Sequence, residues 1–517
     1  MYVPLIGRLA LREWLLLTLS FSLTWLEFII SIITQFLPSL VIQFFTSTTL
    51  VLYRFTSNPV NLIYSMTKGN NVDDAEKAQY KVLNYHNTSS VTRESYDQMI
   101  DLLNSNNINE MCQFFGYDVE SRILKTDDNY FLTVQRICKP GSVTKRNGKV
   151  VYLHHGLLMS SEIWVTMLDK NHNLPFLLYD LGYDVWLGNN RGNKYSQKHL
   201  FHAIDSEKFW DFSMDEFALF DIPNTINFIL EVTGKEKLTY IGFSQGTAQA
   251  FASVSINPEL NDKIDKIIAI SPATTPHGLY SKFLDIFLKA SPHVVFLLFS
   301  RKILMPSVLF WSRIMYPPLF DTSIDVSNYL LFNWRSENIT KIQKLSSYAH
   351  LYSTTSVKTV VHWFQIMSSK NFQMYHESKS SGIFPMSYPL KTIRVPIHLI
   401  YGTIDSLVDI DVMKGQLPEK YTTTQPVNNH EHLDNIWGFD IGEKVFKYVL
   451  QYLEQPNVFD VPLIEYKSQT NYLQASPNIT QDFEDDTGST LIGNSYSEER
   501  EVDISRRRPS TGGSVFI

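Results

Sequence analysis

An α/β fold with a mostly parallel central sheet is predicted by three features of the sequence. Short apolar runs typical of strands alternate with helical patterns between residues 149 and 270. The pentapeptide Gly-Phe-Ser-Gln-Gly, residues 242–246, lies between one such strand and one such helix. The strand pattern returns at residues 397–402 after a long aromatic-rich interruption. Parallel strands need long crossover connections, so strand–helix alternation indicates a parallel sheet.

The composition is that of a large globular chain. Of 517 residues, 44% are hydrophobic and 19% are charged, which suffices for a sizeable core. The net charge is −7 and no long basic block occurs, so nucleic acid is excluded as a partner. The only cysteines, Cys112 and Cys138, exclude a disulfide scaffold and leave one bridge between them open.

Residues 1–55 predict a membrane or lipid anchor. No charged side chain occurs from residue 28 to residue 53, and about 20 apolar residues suffice to cross a bilayer core. The run also exceeds the roughly 7–15 apolar residues of a signal peptide. A single span and a hairpin turning near Pro38 both fit, and Glu27 favours the hairpin because a charge at mid-bilayer is costly. A helical pair packed on the rest of the chain is the alternative.

The remainder of the chain divides by composition. Residues 56–90 are polar and predict a linker, and residues 91–460 predict the folded α/β domain. The segment at about 275–390 interrupts the strand–helix rhythm with aromatic and apolar helix-like runs, so it predicts a helical cap inserted into the sheet domain.

The C-terminal segment, residues 465–517, is polar, lacks apolar periodicity and predicts a disordered tail. Arg506, Arg507 and Arg508 precede Ser510 in a pattern that basophilic kinases favour. A solvated charge run is the alternative interpretation.

The residues 242–246 match the nucleophile elbow G-x-S-x-G of the α/β-hydrolase fold. Gly242 and Gly246 let the backbone turn sharply between the strand at 238–241 and the helix that follows. Ser244 is therefore the candidate nucleophile, and it needs a base to take its proton.

An oxyanion hole requires two backbone N–H groups aimed at the developing charge. One is expected from Gln245, directly after the nucleophile. The second is expected from Leu157, because residues 154–158 (His-His-Gly-Leu-Leu) follow the strand at 150–153.

The triad order in this fold is serine, acid, histidine. Asp405 stands just after the strand at 397–402 and is the candidate acid, with Asp409 and Asp411 as nearby competitors. Both His432 and His430 lie in the C-terminal loop where the base is expected, and spacing leaves that choice open.

Longer runs carry a family resemblance over about residues 115–450. They are residues 116–117 (Gly-Tyr), 154–158, 182–193 (Gly-Tyr-Asp-Val-Trp-Leu-Gly-Asn-Asn-Arg-Gly-Asn), 209–216 (Phe-Trp-Asp-Phe-Ser-Met-Asp-Glu), the elbow, and 432–437 (His-Leu-Asp-Asn-Ile-Trp). Through these runs the chain resembles the acid lipase family, which includes gastric and lysosomal lipases and fungal steryl ester hydrolases. The resemblance implies an α/β-hydrolase fold with Asp405 as acid, His432 as base, and Leu157 and Gln245 as oxyanion donors.

The anchor and polar tail resemble the fungal branch of that family. This implies a steryl ester hydrolase of intracellular lipid stores, held at lipid droplets and the endoplasmic reticulum membrane by its N-terminus. A triacylglycerol lipase is the nearest alternative, and a non-catalytic lipid-binding protein on the same fold is the alternative from another class. A Ser–His–Asp site implies no metal and no organic cofactor.

Overall fold

The computed structural model describes residues 13–35, 93–141, 148–280, 285–304, 317–377 and 385–455, with single positions between 41 and 48 and between 306 and 315. The predicted linker at 56–90, the turn near Pro38, the tail at 465–517 and Ser510 lie outside the described residues.

Within the described residues, nine strands form one sheet. They are β1 (Asp118–Lys125), β2 (Tyr130–Cys138), β3 (Val150–His154), β4 (Asp184–Leu187), β5 (Lys198–His199), β6 (Leu238–Phe243), β7 (Ile264–Ile270), β8 (Ile397–Gly402) and β9 (Thr422–Val427).

The α-helices surround this sheet. They are α1 (Glu13–Gln35), α2 (Arg93–Asn104), α3 (Ile108–Phe114), α4 (Leu174–Asp180), α5 (Met214–Glu216), α6 (Ile222–Thr233), α7 (Gln245–Ile256), α8 (Leu260–Lys263), α9 (Asp285–Lys289), α10 (Pro292–Phe299), α11 (Pro317–Phe332), α12 (Lys341–Tyr348), α13 (Val357–Ser369), α14 (Ile410–Gln416), α15 (Asp434–Trp437) and α16 (Lys447–Glu454).

The sheet confirms the predicted α/β-hydrolase architecture. Its strand order is β1-β2-β4-β3-β6-β7-β8-β9, with β5 beside β2. From β4 to β9 all neighbouring strands pair in parallel, whereas β2 pairs antiparallel with β1 and β4. β3 and β6 are buried along their whole length because helices cover both faces.

Alternate side chains of β3 enter different cores. Val151 and Leu153 belong to one buried cluster, while Val150 and Tyr152 belong to another. A strand points successive side chains to opposite faces, so the two clusters lie on opposite sides of the sheet.

The helical pattern that ends at Gly234 begins less regularly than its spacing predicts. Residues Phe217–Asp221 form a π-helical turn before α6. Pro223 in the first turn of α6 lacks an N–H and cannot continue a regular α-helical ladder through this point. Gly234 ends α6 in the left-handed region with a φ of 64°, and its N–H donates to Leu230 O.

The segment between β7 and β8 holds α9 to α13. Their buried residues include Ile286, Val295, Val361 and Trp363. Nε1 of Trp363 in α13 donates to Oε1 of Gln245, which follows the carboxyl end of β6. Cys112 and Cys138 are both free thiols.

The N-terminal helix α1 contacts this helical segment. Leu17 is buried in a cluster with Ile286 and Phe287 of α9 and Leu298 of α10. The Glu13 carboxylate lies 3.1 Å from Nζ of Lys289. Among the described residues, α1 is the one helix that is long and apolar enough to cross a membrane.

Candidate active site

Ser244 stands on the sharp turn between β6 and α7. Its φ of 53° and ψ of −122° are strained for a residue with a Cβ, as the elbow requires. Its backbone N–H donates to Ile270 O at 3.0 Å and fixes the turn to β7. A Cβ at Gly242 would lie 2.9 Å from the backbone of Gly246, and one at Gly246 would lie 2.6 Å from His154 O. Only glycine fits at both elbow positions.

Ser244, His432 and Asp405 form one hydrogen-bonded chain. Nε2 of His432 lies 2.7 Å from Oγ of Ser244, and Nδ1 of the same ring lies 2.6 Å from Oδ2 of Asp405. With a proton on Nδ1, the ring donates to the carboxylate and Nε2 accepts from the serine hydroxyl. This geometry leaves Nε2 free to take the serine proton.

The turn after β8 holds Asp405. Its side chain is fully buried, and its other carboxylate oxygen accepts the N–H of Leu407 at 3.0 Å. Asp409 instead caps α14 by accepting from Val412 N, and it lies 3.3 Å from Nδ1 of His277. Asp411 lies in the first turn of α14. Of the three aspartates, the structure brings Asp405 to the histidine.

His430 is bound elsewhere. Its Nδ1 lies 3.0 Å from Oδ1 of Asn435, and its Nε2 lies 2.9 Å from Oδ1 of Asp440. Both ring nitrogens therefore hold the loop together and neither faces Ser244. The pKa of Asp440 is about 2, because hydrogen bonds from His430 and Lys444 outweigh the effect of its burial, which raises the pKa.

The two expected oxyanion donors flank Ser244. Gln245 is the first residue of α7, so its backbone N–H is at a helix N-terminus, and its side-chain Oε1 accepts from Nε1 of Trp363 at 2.7 Å. Leu157 follows Gly156, whose Cα is so close to the nucleophile that a Cβ there would lie 3.1 Å from Cβ of Ser244. Both peptides therefore border the place where a substrate carbonyl would sit.

The cap contributes contacts that sequence patterns did not predict. The indole of Trp334 stacks on the ring of His432, with centroids 5.0 Å apart and planes 7° apart. The carboxylate of Glu431 accepts the N–H groups of Arg335 and Ser336 at 2.7–2.9 Å, which ties this cap segment to the histidine loop. In the sequence, the one feature that could have pointed to these contacts is the acidic residue Glu431 directly before His432.

A buried ionic cluster joins the cap to the loop after β3. Glu162 is fully buried, accepts hydrogen bonds from Lys194 and Tyr195, and lies 3.1 Å from Nδ1 of His350. Burial raises the pKa of Glu162, but Lys194 and His350 outweigh it and hold the pKa at about 2. The carboxylate therefore stays charged and keeps its partners in place.

Two family models match the chain. The model described as the alpha/beta hydrolase fold matches residues 149–438, and a partial alpha/beta-hydrolase lipase region matches residues 108–168. The chain belongs to the acid lipase-like α/β hydrolases. The first match covers the elbow, the cap and the histidine loop of this hydrolase, and the second covers α3 to the loop after β3.

Named lipases are similar over most of the hydrolase. Two Schizosaccharomyces pombe proteins described as probable lipases are 45% and 49% identical, over 70% and 67% of this chain and 84% and 76% of their own. Gastric triacylglycerol lipase of Bos taurus is 35% identical over 68% of this chain and 92% of its own. The protein is a carboxylic ester hydrolase.

Proposed function

We propose that the protein hydrolyses sterol esters through an acyl-enzyme formed on Ser244. The hydrogen-bonded chain from Ser244 through His432 to Asp405 is the observation that carries the serine mechanism. The sterol as alcohol portion is proposed from the resemblance to the fungal steryl ester hydrolases. The serine Oγ attacks the ester carbonyl while Nε2 of His432 takes its proton. The buried carboxylate of Asp405 holds the imidazole in the required tautomer and stabilises the imidazolium that forms.

The oxyanion of the tetrahedral intermediate accepts hydrogen bonds from the N–H groups of Leu157 and Gln245. His432 then donates its proton to the departing sterol oxygen, and the carbonyl carbon stays bonded to Oγ as an ester. Water repeats the sequence: His432 takes a water proton, hydroxide adds to the carbonyl, and Ser244 leaves with the proton from His432. The products are a free sterol and a fatty acid.

The membrane part of the proposal is supported by α1. Leu17, Ser20, Thr24 and Glu27 recur at helical spacing on the less exposed stripe, whereas the rest of the helix exposes large apolar side chains. A helix that exposes so many large apolar side chains suits lipid rather than water.

The small polar groups of α1 are also compatible with lipid. The hydroxyls of Ser20 and Thr24 donate to carbonyls of the preceding turn, Leu16 O at 2.9 Å and Ser20 O at 2.8 Å. At a rise of 1.5 Å per residue, α1 is about 34 Å long, which is comparable with a bilayer core of about 30 Å. Glu27 lies near the middle of α1 and would be costly at the centre of a full span, so attachment to the lipid surface is favoured over a crossing. We therefore propose attachment to lipid droplets and the endoplasmic reticulum membrane, where sterol esters are stored.

A triacylglycerol lipase is the second candidate, because relatives at 32–35% identity carry that activity in their names. Both substrates present a fatty acyl ester to the same serine, and the shape of the cap decides between their alcohol portions. The proposal also includes phosphorylation of Ser510 by a basophilic kinase, supported by the three preceding arginines.

The test is a comparison of full-length protein on emulsions of cholesteryl oleate, ergosteryl oleate and trioleoylglycerol, with Ser244→Ala as the blank. A higher kcat/KM on the sterol esters is the expected result. Faster turnover of trioleoylglycerol alone would favour the second candidate. Equal release of fatty acid by the Ala variant would exclude the serine mechanism for either substrate.

A further inference from the structure

The peptide group between Gly156 and Leu157 carries the Leu157 N–H, and a hydrogen bond to its carbonyl oxygen holds it in place. The carbonyl of that peptide belongs to Gly156, and it lies 2.8 Å from Nδ1 of His155. In a trans peptide the C=O and the following N–H point in opposite directions. A hydrogen bond that fixes the Gly156 carbonyl therefore fixes the direction of the Leu157 N–H.

The partners of Nε2 determine the tautomer of His155. Nε2 lies 3.2 Å from the backbone N–H of Asn190 and 3.3 Å from Nδ2 of Asn193. Oδ1 of Asn193 accepts from Tyr195 N, so its Nδ2 is the group that faces the ring. Two donors around Nε2 require that nitrogen to be the acceptor, and the ring proton is then on Nδ1, where it is donated to the Gly156 carbonyl.

We propose that His155 is a positioning residue for the oxyanion hole, which orients the Leu157 N–H through the Gly156 carbonyl. This inference rests on the proposed function, because it assigns a device to the hole that the serine mechanism needs. It also assigns a role to the run at residues 189–193, because Asn190 and Asn193 in this run donate to Nε2 of His155.

The environment of His155 keeps this arrangement in one state. The ring is fully buried and stacks on His154 with centroids 5.1 Å apart. Burial, and then the neighbouring His154, lower the pKa of His155 to about 3, so the ring stays neutral across the working pH range. A second proton on Nε2 would also face the two donors from Asn190 and Asn193.

Buried contacts hold the loops on both sides of the ring. Arg191 is buried between the carboxylates of Asp221 and Asp128, and its Nε lies 2.8 Å from Oδ1 of Asp221. On the other side, Leu158 has a φ of 58°, and its carbonyl accepts the N–H of Ser353 in the cap. The peptide between His155 and Leu158 is thus fixed before substrate arrives, which is the condition for electrostatic stabilisation of the transition state.

Two amide substitutions test the hydrogen bonds of Nδ1 and Nε2 of the imidazole separately. His155→Asn places an N–H₂ group where Nδ1 stands and can donate to the Gly156 carbonyl. His155→Gln places its amide near Nε2, where it can accept from Asn190 but does not reach that carbonyl. His155→Leu removes both. All three are compared with wild type as full-length protein on a short soluble ester.

We expect His155→Asn to keep kcat within about fivefold of wild type, while Gln and Leu lower kcat by about 10- to 100-fold with little change in KM. The upper limit is set by complete loss of one oxyanion donor, which costs about 10²–10³ in kcat. Affinity for an alkyl trifluoromethyl ketone, which binds the serine as an oxyanion, should fall in parallel with kcat/KM. Affinity for an unreactive ether analogue of the ester should not change.

A structural role alone predicts a different pattern. Equal losses for Asn and Gln, full activity for Gln, or an unchanged trifluoromethyl ketone affinity in a slow variant would each overturn the proposal. If His155→Leu does not fold, the Asn and Gln pair decides. His398→Leu, at a buried histidine whose Nδ1 is bound to Thr423 at the far end of β8, controls for loss of a buried imidazole. Ser244→Ala tests the proposed function separately, because it removes the nucleophile and leaves the hole intact.

Discussion

Trp334 covers one face of His432. The two rings are nearly parallel, with centroids 5.0 Å apart, and the ring of Phe332 stacks on the same indole with centroids 4.5 Å apart and planes 30° apart. Trp334 therefore contacts both an aromatic ring of the cap and the histidine. An aromatic face against an imidazole shields the ring from water and attracts the imidazolium that forms when the serine loses its proton.

The first prediction concerns the stacking of Trp334 on His432. Trp334→Leu should lower kcat on a soluble ester by about tenfold, because a cation–π contact that forms in the transition state is worth about 1–2 kcal/mol. Trp334→Phe should lose less, since it keeps an aromatic face. Trp186→Leu, at a buried indole in β4, controls for a cavity and should lower the unfolding temperature without lowering kcat. Equal kcat for Trp334→Leu and wild type would contradict a role in stabilising the imidazolium.

The second prediction concerns the outward face of α1. Leu19 and Leu23 are exposed on this helix, on the side away from Leu17. Leu19→Asp combined with Leu23→Asp should abolish flotation with lipid droplets, because each carboxylate would cost about 2.5–3.5 kcal/mol at the bilayer centre. Turnover of cholesteryl oleate should fall, and turnover of a short soluble ester should stay within a few fold.

The matched control is Ser20→Ala on the stripe that faces the cap. It removes a hydroxyl already bonded within the helix, so flotation should be unchanged. A double Asp variant that still floats would show that α1 is not the attachment. Loss of soluble-ester activity in that variant would show that α1 mainly supports the cap through Leu17 and Glu13.

The third prediction separates the two neighbouring histidines. His432→Ala should lower kcat by several orders of magnitude, as loss of a triad member does. His430→Ala should lower the unfolding temperature more than kcat, because its ring binds Asn435 and Asp440 rather than the serine. Rates on a soluble ester, together with thermal unfolding of both variants, decide this. A lower kcat for His430→Ala than for His432→Ala would show that His430 is the base.

The sequence alone predicted the fold class, the nucleophile Ser244, the acid Asp405 and the loop that supplies the histidine. Ser244 follows β6, Asp405 follows β8, and His432 follows β9. These three strands belong to the parallel part of the sheet, so their carboxyl ends share one edge. The choice of His432 over His430 required the family resemblance, because both lie in the same loop. The structure shows the physical difference in their hydrogen bonds.

The cap contacts were beyond sequence reasoning. Trp334, Trp363 and Leu17 each contact a residue far away in the chain, and no local pattern specifies such partners. An aromatic-rich insertion predicted a helical cap without indicating which indole would reach the histidine. Likewise, the long run almost without charge at the N-terminus predicted a membrane or lipid anchor, with packing on the rest of the chain as the alternative, and it did not indicate the contact of Leu17 with α9 and α10.

The fourth prediction concerns stability at acid pH. Burial, and then Lys266, lower the pKa of His398 to about 3, whereas a histidine in the unfolded chain titrates near 6.5. Between those values the unfolded state binds a proton that the folded state does not. The free energy of unfolding should therefore fall by about 1.4 kcal/mol for each pH unit below 6.5 from this group alone.

His398→Leu should remove that contribution and flatten the dependence by a corresponding amount. The measurement is urea unfolding of both proteins at pH 7, 6 and 5. The difference between them isolates His398 from opposing groups such as Asp221, whose pKa burial raises to about 6. Parallel stability curves for the two proteins would show that His398 is not neutral in the folded state.

Ser244 is tested most directly by covalent labelling at the elbow. A fluorophosphonate carrying a long alkyl chain mimics the tetrahedral intermediate and bonds to an activated serine. Full-length protein should incorporate one label, and peptide mass spectrometry should locate it on the peptide containing Ser244. Ser244→Ala should take up none, and His432→Ala should react far more slowly, since the serine then lacks its base. A label on another residue, or equal labelling of wild type and Ser244→Ala, would contradict the acyl-enzyme mechanism on Ser244.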